Sequence, residues 1–359
     1  MKLKELIGRI EHAVPPDWAL PKDPVGLHVG DPDQEVKRVY VGLEVSSDFL
    51  KKAISQKADM LLVHHPLIFQ PLKRLVENDP VQRLIRKIIK HDMALYAAHT
   101  NLDLHPEGMA KVWAKKLGCS TMHPLANKPQ GRKLKITTFV PEDHLDSIRE
   151  ALGKAGAGVI GEYDQCSFSI SGEGTFRGSE HSNPFTGNAG VFEKTTEIRL
   201  EMLLPERAKW SVVKALYEAH PYDEPAYELY ILDEFCGLNQ AVWIAQFDKK
   251  LSWSDFINRV SKSIPNPEFI SEMRPDKRKR IQKIAISTGS GSSIVSLAAN
   301  LGVDAYLTGE VGYHQLWEAN ESGLNTVVVG HGQSESFFAE SIIPIVEQFT
   351  ENITWISEG

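Results

Sequence analysis

Cysteine is scarce in this sequence, and its scarcity argues against two kinds of site. Only three cysteines occur in 359 residues, and no two of them form a C-x-x-C pair: Cys119, Cys166 and Cys236. A disulfide framework and a thiolate zinc site are both disfavoured by this spacing, which is typical of a protein from a reducing compartment.

Long apolar runs are also missing. No stretch approaches the roughly 20 apolar residues that a helix needs to span a bilayer. The N-terminal segment MKLKELIGRIEHAV has apolar residues at helical spacing, without the continuous apolar core of a signal peptide. We therefore expect a cytoplasmic protein that does not contact membranes.

Positive charge is not in excess. Lysine and arginine number 40 against 47 acidic residues, which gives a net charge of −7. A broad basic surface for nucleic acid is therefore disfavoured, and a nucleic-acid partner is not expected. The dense basic run at 274–280 is better interpreted as a solvated linker.

What the sequence does contain is a regular alternation of strand and helix patterns in its first and last thirds. Such alternation predicts α/β units with parallel sheets. The predicted strands lie at 38–45, 59–65, 93–100, 283–288, 302–310 and 324–332, and the predicted helices include 48–58, 79–92, 106–118, 312–323 and 334–349.

The middle of the chain has a different order, βαββαβ, which is the order of a ferredoxin-like α+β domain. We therefore predict three segments: an N-terminal α/β half at 1–130, an inserted ferredoxin-like domain at 131–235 and a C-terminal α/β half at 236–359. The fold class is α/β, with the two halves together forming one unit.

Histidines and carboxylates follow four of the predicted parallel strands. Ligands of open α/β sheets bind at the carboxyl ends of the strands, so these side chains are candidates for one site. They are His64 and His65, then His99 and Asp103, then Glu310 and His314, and finally His331 and Glu335.

This residue set favours divalent metal ions. Histidine with carboxylate suits zinc, iron, manganese, cobalt or nickel without selecting one of them. Five or more candidates exceed the needs of one tetrahedral site and suit a pair of metals with a carboxylate between them, as in many hydrolases.

Each residue also has a structural alternative. A single buried histidine is usually a satisfied core residue, but adjacent histidines at a strand end each need partners on a different side. Asp103 is equally suited to capping a helix, and Glu335 to stabilising a helix start. His99, Glu310 and His314 are candidates for orienting the ligands, for acid/base catalysis or for plain loop positions.

The turn STGSGSS at 287–293 follows a strand and leads into a helix. Its backbone amides are suited to cradling a phosphate, but the third glycine of G-x-G-x-x-G is replaced by Ile294. A plain turn into the helix is at least as good an interpretation.

Five motifs resemble the GTP cyclohydrolase 1 type 2 homologue family, also described as NGG-one-interacting-factor-three-like proteins. They are VGLHVGD, LLVHHPLIF, AAHTNLD, GVDAYLTGEVGYHQ and GHGQSE. The sequence departs from the family pattern at Asp23-Pro24 (usually DN), at Glu44 (frequently Asp) and at Glu310 (usually Asp).

The resemblance implies a dinuclear metal site whose ligands are His64, His65, Asp103, His331 and Glu335. It also implies a toroidal homohexamer and an insertion similar to the PII and CutA signalling proteins. The catalytic candidates are then Glu310, His314 and His99.

The sequence is compatible with three candidate functions. The first is a metal-dependent hydrolase resembling GTP cyclohydrolase 1 type 2, with a nucleotide as one candidate substrate. The second is a non-catalytic metal-binding scaffold whose insertion senses a small ligand. The third and weakest is a DNA-associated ring, which the net negative charge disfavours.

Overall fold

The structure is a computed structural model, described here for residues 1–125, 133–161, 163–182, 184–232, 241–266 and 271–358. The chain divides into two compact units. Unit 1 combines Met1–Pro129 with Gly237–Gly359, and unit 2 is Gln130–Cys236. Within the described residues, no helix has the length and apolarity needed to cross a membrane.

The first sheet of unit 1 is mostly parallel. Its strand order is β1-β4-β3-β2-β15, in which only β1 runs antiparallel to its neighbour. The strands are β1 (Gly26–Val29), β2 (Arg38–Gly42), β3 (Met60–Val63), β4 (Ala94–Ala97) and β15 (Thr354–Ser357), and the helices of this part are α1 (Leu3–Ala13), α2 (Ser47–Ser55), α3 (Pro80–Lys90), α4 (Thr100–Asp103) and α5 (Met109–Lys116).

The second sheet of unit 1 is mixed. Its order is β11-β14-β13-β12-β10-β5, with a parallel centre and antiparallel pairings toward both edges. The strands are β5 (Thr121–Pro124), β10 (Trp243–Leu251), β11 (Ser271–Met273), β12 (Ile281–Ile286), β13 (Ala305–Thr308) and β14 (Thr326–Val328), and the helices are α8 (Trp253–Ser263), α9 (Val295–Asn300), α10 (Tyr313–Glu321), α11 (His331–Ser334) and α12 (Phe338–Glu347).

One hydrophobic core joins both sheets of unit 1. It includes Leu62 of the first sheet, Leu307 of the second, and Trp113 and Phe338 from α5 and α12. All four residues of β3 are buried, as expected for a strand covered on both faces. A shared core of this kind keeps the strand ends of the two sheets in fixed relative positions. A site with residues from both sheets requires this.

The α/β class is confirmed, with local differences from the predicted elements. Helix α3 begins after Asp79, whose side chain caps it by accepting from the Gln82 amide, as predicted. Helix α5 begins at Met109, whereas the prediction started it at Pro106. Strands β1, β5, β10 and β11 were not predicted. Strands β1, β5 and β11 are short edge strands without a strong apolar run, and the apolar start of the inner strand β10 is only three residues long, 243–245.

Unit 2 contains a four-stranded antiparallel sheet of order β7-β8-β6-β9. Core residues from two helices, including Leu152 and Leu216, pack with alternate residues of β6 and β8 on one face of this sheet. The elements in chain order are β6 (Lys133–Val140), α6 (Leu145–Lys154), β7 (Ser167–Arg177), β8 (Phe192–Pro205), α7 (Lys209–Ala219) and β9 (Tyr227–Ile231).

Candidate metal centre

Side chains from the carboxyl ends of both sheets of unit 1 meet at one cluster. His64 and His65 directly follow β3, His99 follows β4, and His331 opens α11 just after β14. Two groups bring ligand atoms within 4.8 Å of one another: His64 with His65 and His99, and His65 with His331 and Glu335. The predicted convergence at strand ends is therefore present in the structure.

Glu335 lies at the centre of this cluster. Its side chain is only 2% exposed, and its two oxygens face different histidines. Oε2 lies 2.9 Å from Nε2 of His65, while Oε1 lies 3.2 Å from Nε2 of His331 and 3.6 Å from Nε2 of His64. A single buried carboxylate thus links histidines contributed by both sheets.

His64 has one ring nitrogen satisfied and the other without a hydrogen bond. Its Nδ1 donates to the carbonyl oxygen of Ala98 at 2.9 Å. Its Nε2 is buried and has no hydrogen-bond partner among the described residues; Asp103 Oδ1 is 3.8 Å away. A buried polar atom left unpaired is costly, so this nitrogen points to a missing ligand.

The other histidines of the cluster also present Nδ1 to an acceptor. His331 Nδ1 lies 3.0 Å from Glu310 Oε2, and His99 Nδ1 lies 2.8 Å from Asp23 Oδ1. Nδ1 of His65 lies 3.7 Å from Glu44 Oε2. Metal-binding histidines are commonly held in this way, because the outer acceptor fixes the ring and its tautomer.

Asp103 and Glu335 have opposite pKa shifts. Burial raises the pKa of Asp103, and the negative charge of Glu335 adds to this effect while His64 opposes it. Burial also acts to raise the pKa of Glu335, but the hydrogen bonds from His331 and His65 and the nearby ring of His64 outweigh it and hold that pKa well below its usual range. Glu335 is therefore the permanently ionised carboxylate of the pair.

Two histidines balance this charge. Burial acts to lower the pKa of His64, but the carboxylates of Asp103 and Glu335 outweigh burial and raise it to about 9. The hydrogen bond with Glu335 likewise raises the pKa of His331 to about 9. When no cation is bound, protons on His64 and His331 therefore supply the positive charge that balances the carboxylates at neutral pH.

The turn at 287–293 packs against this cluster. Gly289 has a φ of +62°, and a Cβ there would lie 2.4 Å from Glu335 Oε1. Its amide donates to Ser334 Oγ, and the amide of Gly291 donates to the carbonyl oxygen of Glu310. Since the protein itself uses these two amides, the turn is better explained as support for Glu335 than as a phosphate cradle.

Of the predicted site residues, only His314 lies apart from the cluster. It is exposed on α10 with its ring against Tyr313, and none of its described contacts reaches the other histidines. Asp103 does reach the cluster, from the end of α4, where its Oδ1 also accepts from Thr288 Oγ1 at 3.2 Å.

Sequence reasoning missed two carboxylates that contact the histidines, Asp23 and Glu44. The predicted strand 38–45 included Glu44, but β2 ends at Gly42, so Glu44 belongs to the same strand-end set as the other candidates. Asp23 lies in a loop, and no spacing pattern in the sequence indicates it.

The residues present suit a divalent metal ion. Imidazole and carboxylate are its common ligands, and the unpaired Nε2 of His64 provides a donor atom that the protein leaves without a partner. The ligand atoms of His64, His65 and His99, and those of His65, His331 and Glu335, lie close enough together to hold an ion, and Asp103 lies 3.8 Å from His64.

Metal binding should release protons. The pKa values of His64 and His331, about 9, exceed the ordinary 6.5, so protonation stabilises the metal-free fold below pH 6.5 and this contribution is lost as the pH rises through 9. A metal ion needs neutral imidazoles, so we expect about one proton released from each histidine at pH 7 and an affinity that rises toward pH 9. Calorimetry in buffers of different ionisation enthalpy measures this release; binding without proton uptake by the buffer would contradict it.

Replacing Asp23 with asparagine should disturb His99 without unfolding the chain. Asp23 accepts from His99 and from both the amide and hydroxyl of Thr100, and those bonds outweigh burial and lower its pKa. The neutral amide removes the charge that holds the ring, and loss of such an outer partner commonly costs 10–100-fold in metal affinity or activity. Metal affinity and activity of Asp23→Asn, measured beside an exposed control, Asp48→Asn, test this; a variant equal to the control in both would contradict it.

Comparison with known proteins identifies the family. The family described as Duf34/NIF3 (NGG1p interacting factor 3) matches residues 1–358. A GTP cyclohydrolase 1 type 2 homolog from Halalkalibacterium halodurans is 36% identical over 331 residues, covering 91% of this chain and 87% of that protein.

Solved structures agree with this assignment. A Bacillus cereus protein related to NIF3 is 31% identical, with a TM-score of 0.69 over 100% of this chain and 96% of that one. A Staphylococcus aureus protein is 26% identical, with a TM-score of 0.71 over the same shares of the two chains. The chain therefore belongs to the Duf34/NIF3 family.

Proposed function

We propose that this protein is a hydrolase that uses two divalent metal ions held by His64, His65, Asp103, His331 and Glu335. The observation that carries the proposal is the position of Glu335, buried between histidines from two sheets with each oxygen facing a different histidine. A carboxylate in this position is suited to lying between two cations.

A divalent ion would supply Lewis acidity here, lowering the pKa of water and polarising a substrate oxygen. The chain supplies the rest of the site. His64 is fixed by Ala98 so that Nε2 remains available, and Glu310 holds His331 through Nδ1. The exposed side of His331, 40% accessible, gives the substrate a route to the cluster.

His99 is the proposed acid/base group. Asp23 holds its Nδ1, which leaves Nε2 on the opposite side of the ring to take a proton from water and return it to the leaving group. Glu310 is proposed to orient His331 rather than to carry protons itself. His314 would join the reaction only if a substrate extended as far as α10.

A nucleotide is the proposed substrate class. The support is the name of the relatives, GTP cyclohydrolase 1 type 2 homolog, together with the match over about nine-tenths of this chain. A ring-opening hydrolysis of GTP fits the water-activating chemistry of the cluster. We further propose a cytoplasmic homohexamer, and a ferredoxin-like class for unit 2, which its βαββαβ order supports.

The test is turnover by metal-loaded protein. Metal-free protein would be loaded separately with zinc, iron, manganese, cobalt and nickel, and offered GTP and related nucleotides with product analysis by mass spectrometry. We expect hydrolysis with at least one metal, and loss of at least 100-fold in rate when His64 is replaced by alanine.

A matched control is His91→Ala, since His91 is exposed at the end of α3 and its ring, among the described residues, bonds to the carbonyl of Lys87 in its own helix. This variant should retain full turnover. Equal turnover by metal-free protein would refute the proposal. Stoichiometric metal with no turnover across the panel would favour the non-catalytic scaffold instead.

A further inference from the structure

Unit 2 contains a cavity of about 1000 Å³ that has no part in the metal centre. It lies on the face of the sheet opposite to α6 and α7. Leu200 and Met202 of β8 pack into the helix-covered core, so Glu197 and Arg199, at the alternate positions, face the other way. We call this second side the open face.

The floor of the cavity is a row of three side chains from neighbouring strands. Arg199 on β8 is paired with Phe139 on β6 and with Ile170 on β7. In the next row, Glu197 is paired with Gly172. The first row thus sets two apolar side chains beside an arginine, and the second sets a carboxylate beside a glycine.

Two glycines make the depression beside this row. A Cβ added at Gly172 would meet no atom within 4 Å, so that position is open space. At Gly174 a Cβ would lie 2.1 Å from Glu197 Oε2, so only glycine lets the carboxylate lie this close to β7. The missing side chains leave room for a ligand above the strand.

Aromatic side chains form much of the remaining wall. Phe139, Phe176, Phe185 and Tyr222 all line the cavity. Phe185 also contacts Tyr222, with ring centroids 5.9 Å apart and planes tilted by 46°. Aromatic faces of this kind are suited to stacking with the planar ring of a ligand.

The cavity also offers one donor and one acceptor at adjacent open-face positions. Nε of Arg199 is buried and has no hydrogen-bond partner among the described residues, although another nitrogen of its guanidinium pairs with Glu201 at 3.0 Å. Oε1 of Glu197 accepts from the hydroxyl of Tyr222 at 2.7 Å, which fixes the carboxylate. A ligand edge carrying both an acceptor and an N–H would satisfy both groups.

The charge of the lining disfavours phosphate. Four carboxylates line the cavity against two guanidinium groups: Glu173, Glu197, Asp223 and Glu224 against Arg177 and Arg199. A ligand with several negative charges would meet net repulsion here. An uncharged ring with mixed hydrogen-bonding edges would not.

From these features we infer that the cavity binds an unphosphorylated purine nucleobase or nucleoside. The ring stacks on the aromatic wall, a ring or carbonyl acceptor faces Arg199 Nε, and an N–H donates to Glu197. Purine edges present this pairing of acceptor and donor. This inference is independent of the proposed hydrolysis, because its residues all lie in unit 2.

Equilibrium dialysis of the full-length protein with guanosine, adenosine, GMP and GTP is the test. We expect saturable binding of at least one nucleoside at one site per chain, with no change after chelation of metal, and at least tenfold weaker binding of its phosphorylated form by the chelated protein. Gly172→Phe should weaken binding at least tenfold, because its ring fills the open space.

Ser169→Phe is the matched control, since Ser169 is exposed on the same strand but on the helix side. It should alter the affinity by less than twofold. Arg199→Met provides a second probe that keeps the floor apolar, and it should weaken binding at least fivefold. Absence of saturable nucleoside binding, undiminished binding to both cavity variants, tighter binding of GTP than of guanosine by the metal-free protein, or loss of nucleoside binding on chelation would each overturn the inference.

Discussion

Replacing His64 with asparagine should abolish metal binding and leave the protein folded. The amide nitrogen of asparagine occupies roughly the position of Nδ1 and can still donate to the carbonyl oxygen of Ala98, whereas nothing replaces Nε2. Nε2 is the atom that lies 3.6 Å from Glu335 and 3.8 Å from Asp103 with no hydrogen bond. The donor atom is therefore lost with little change in the surrounding packing.

Elemental analysis and thermal unfolding would measure this result. We expect the metal content of His64→Asn to fall to less than a tenth of the wild-type value. The free energy of unfolding of the metal-free protein should fall by about 1–3 kcal/mol, since the buried Glu335 and the half-buried Asp103 lose a charged partner. His91→Asn should retain its metal. Wild-type metal content in His64→Asn would show that this histidine is not a ligand.

Substituting alanine for Gly289 should weaken metal binding although Gly289 itself contributes no ligand. A Cβ at this position would lie 2.4 Å from Glu335 Oε1. Glu335 cannot simply turn aside, because it is buried and bonded to His65 and His331. Displacing it would break those contacts, and we expect at least a tenfold loss of metal affinity.

Gly302 provides a matched control for this substitution. It has nearly the same backbone conformation, with a φ of +61° against +62°, but a Cβ there would meet no atom within 4 Å. Both alanine variants should lose about 1 kcal/mol of stability from left-handed backbone strain. Only Gly289→Ala should lose metal affinity. Equal metal affinity in the two variants would contradict the role assigned to this glycine.

The sequence predicted the location of the cluster because one rule applies to every parallel strand. Side chains that follow such strands meet at the carboxyl edge of the sheet, and His64, His65, His99 and His331 all follow this rule. The rule works here because the strands are short, buried runs whose ends can be read to within a few residues.

The same rule failed where a strand end was misplaced. Glu44 was assigned to the interior of a strand because the apolar run continues to Val45, whereas pairing with β3 ends at Gly42. Asp23 was missed for a different reason. It reaches His99 across 76 positions of sequence, from a loop, and such a contact depends on how the chain folds rather than on any local pattern.

The central position of Glu335 was also beyond the reach of the sequence. The sequence analysis placed Glu335 at the start of a helix, but its contact with His65 spans 270 positions. That contact exists because a common core joins the two sheets of unit 1. Packing between distant segments therefore determines which of the candidate carboxylates contacts the histidines of both sheets.

Sequence spacing also grouped His314 with the cluster, although the structure leaves it exposed on α10. The helical pattern of 312–323 predicted α10 correctly. What it could not predict was the direction of this side chain relative to the strand ends. A residue that follows a strand by six positions already depends on the geometry of the intervening turn.

The adjacent histidines at the end of β3 now have a defined geometry. Their ring centroids lie 5.1 Å apart, and their Nε2 atoms face different oxygens of the same carboxylate. This arrangement suits two neighbouring cations with Glu335 between them, as proposed above. It is the feature on which the proposed function most depends.

Anomalous scattering from crystals of untagged, metal-loaded protein tests this claim most directly. We expect two anomalous peaks in each chain, with nitrogen and oxygen ligands at about 2.0–2.2 Å. The ligands should be His64, His65, Asp103, His331 and Glu335, with Glu335 contacting both ions. A single peak, or peaks that these residues do not ligate, would contradict it.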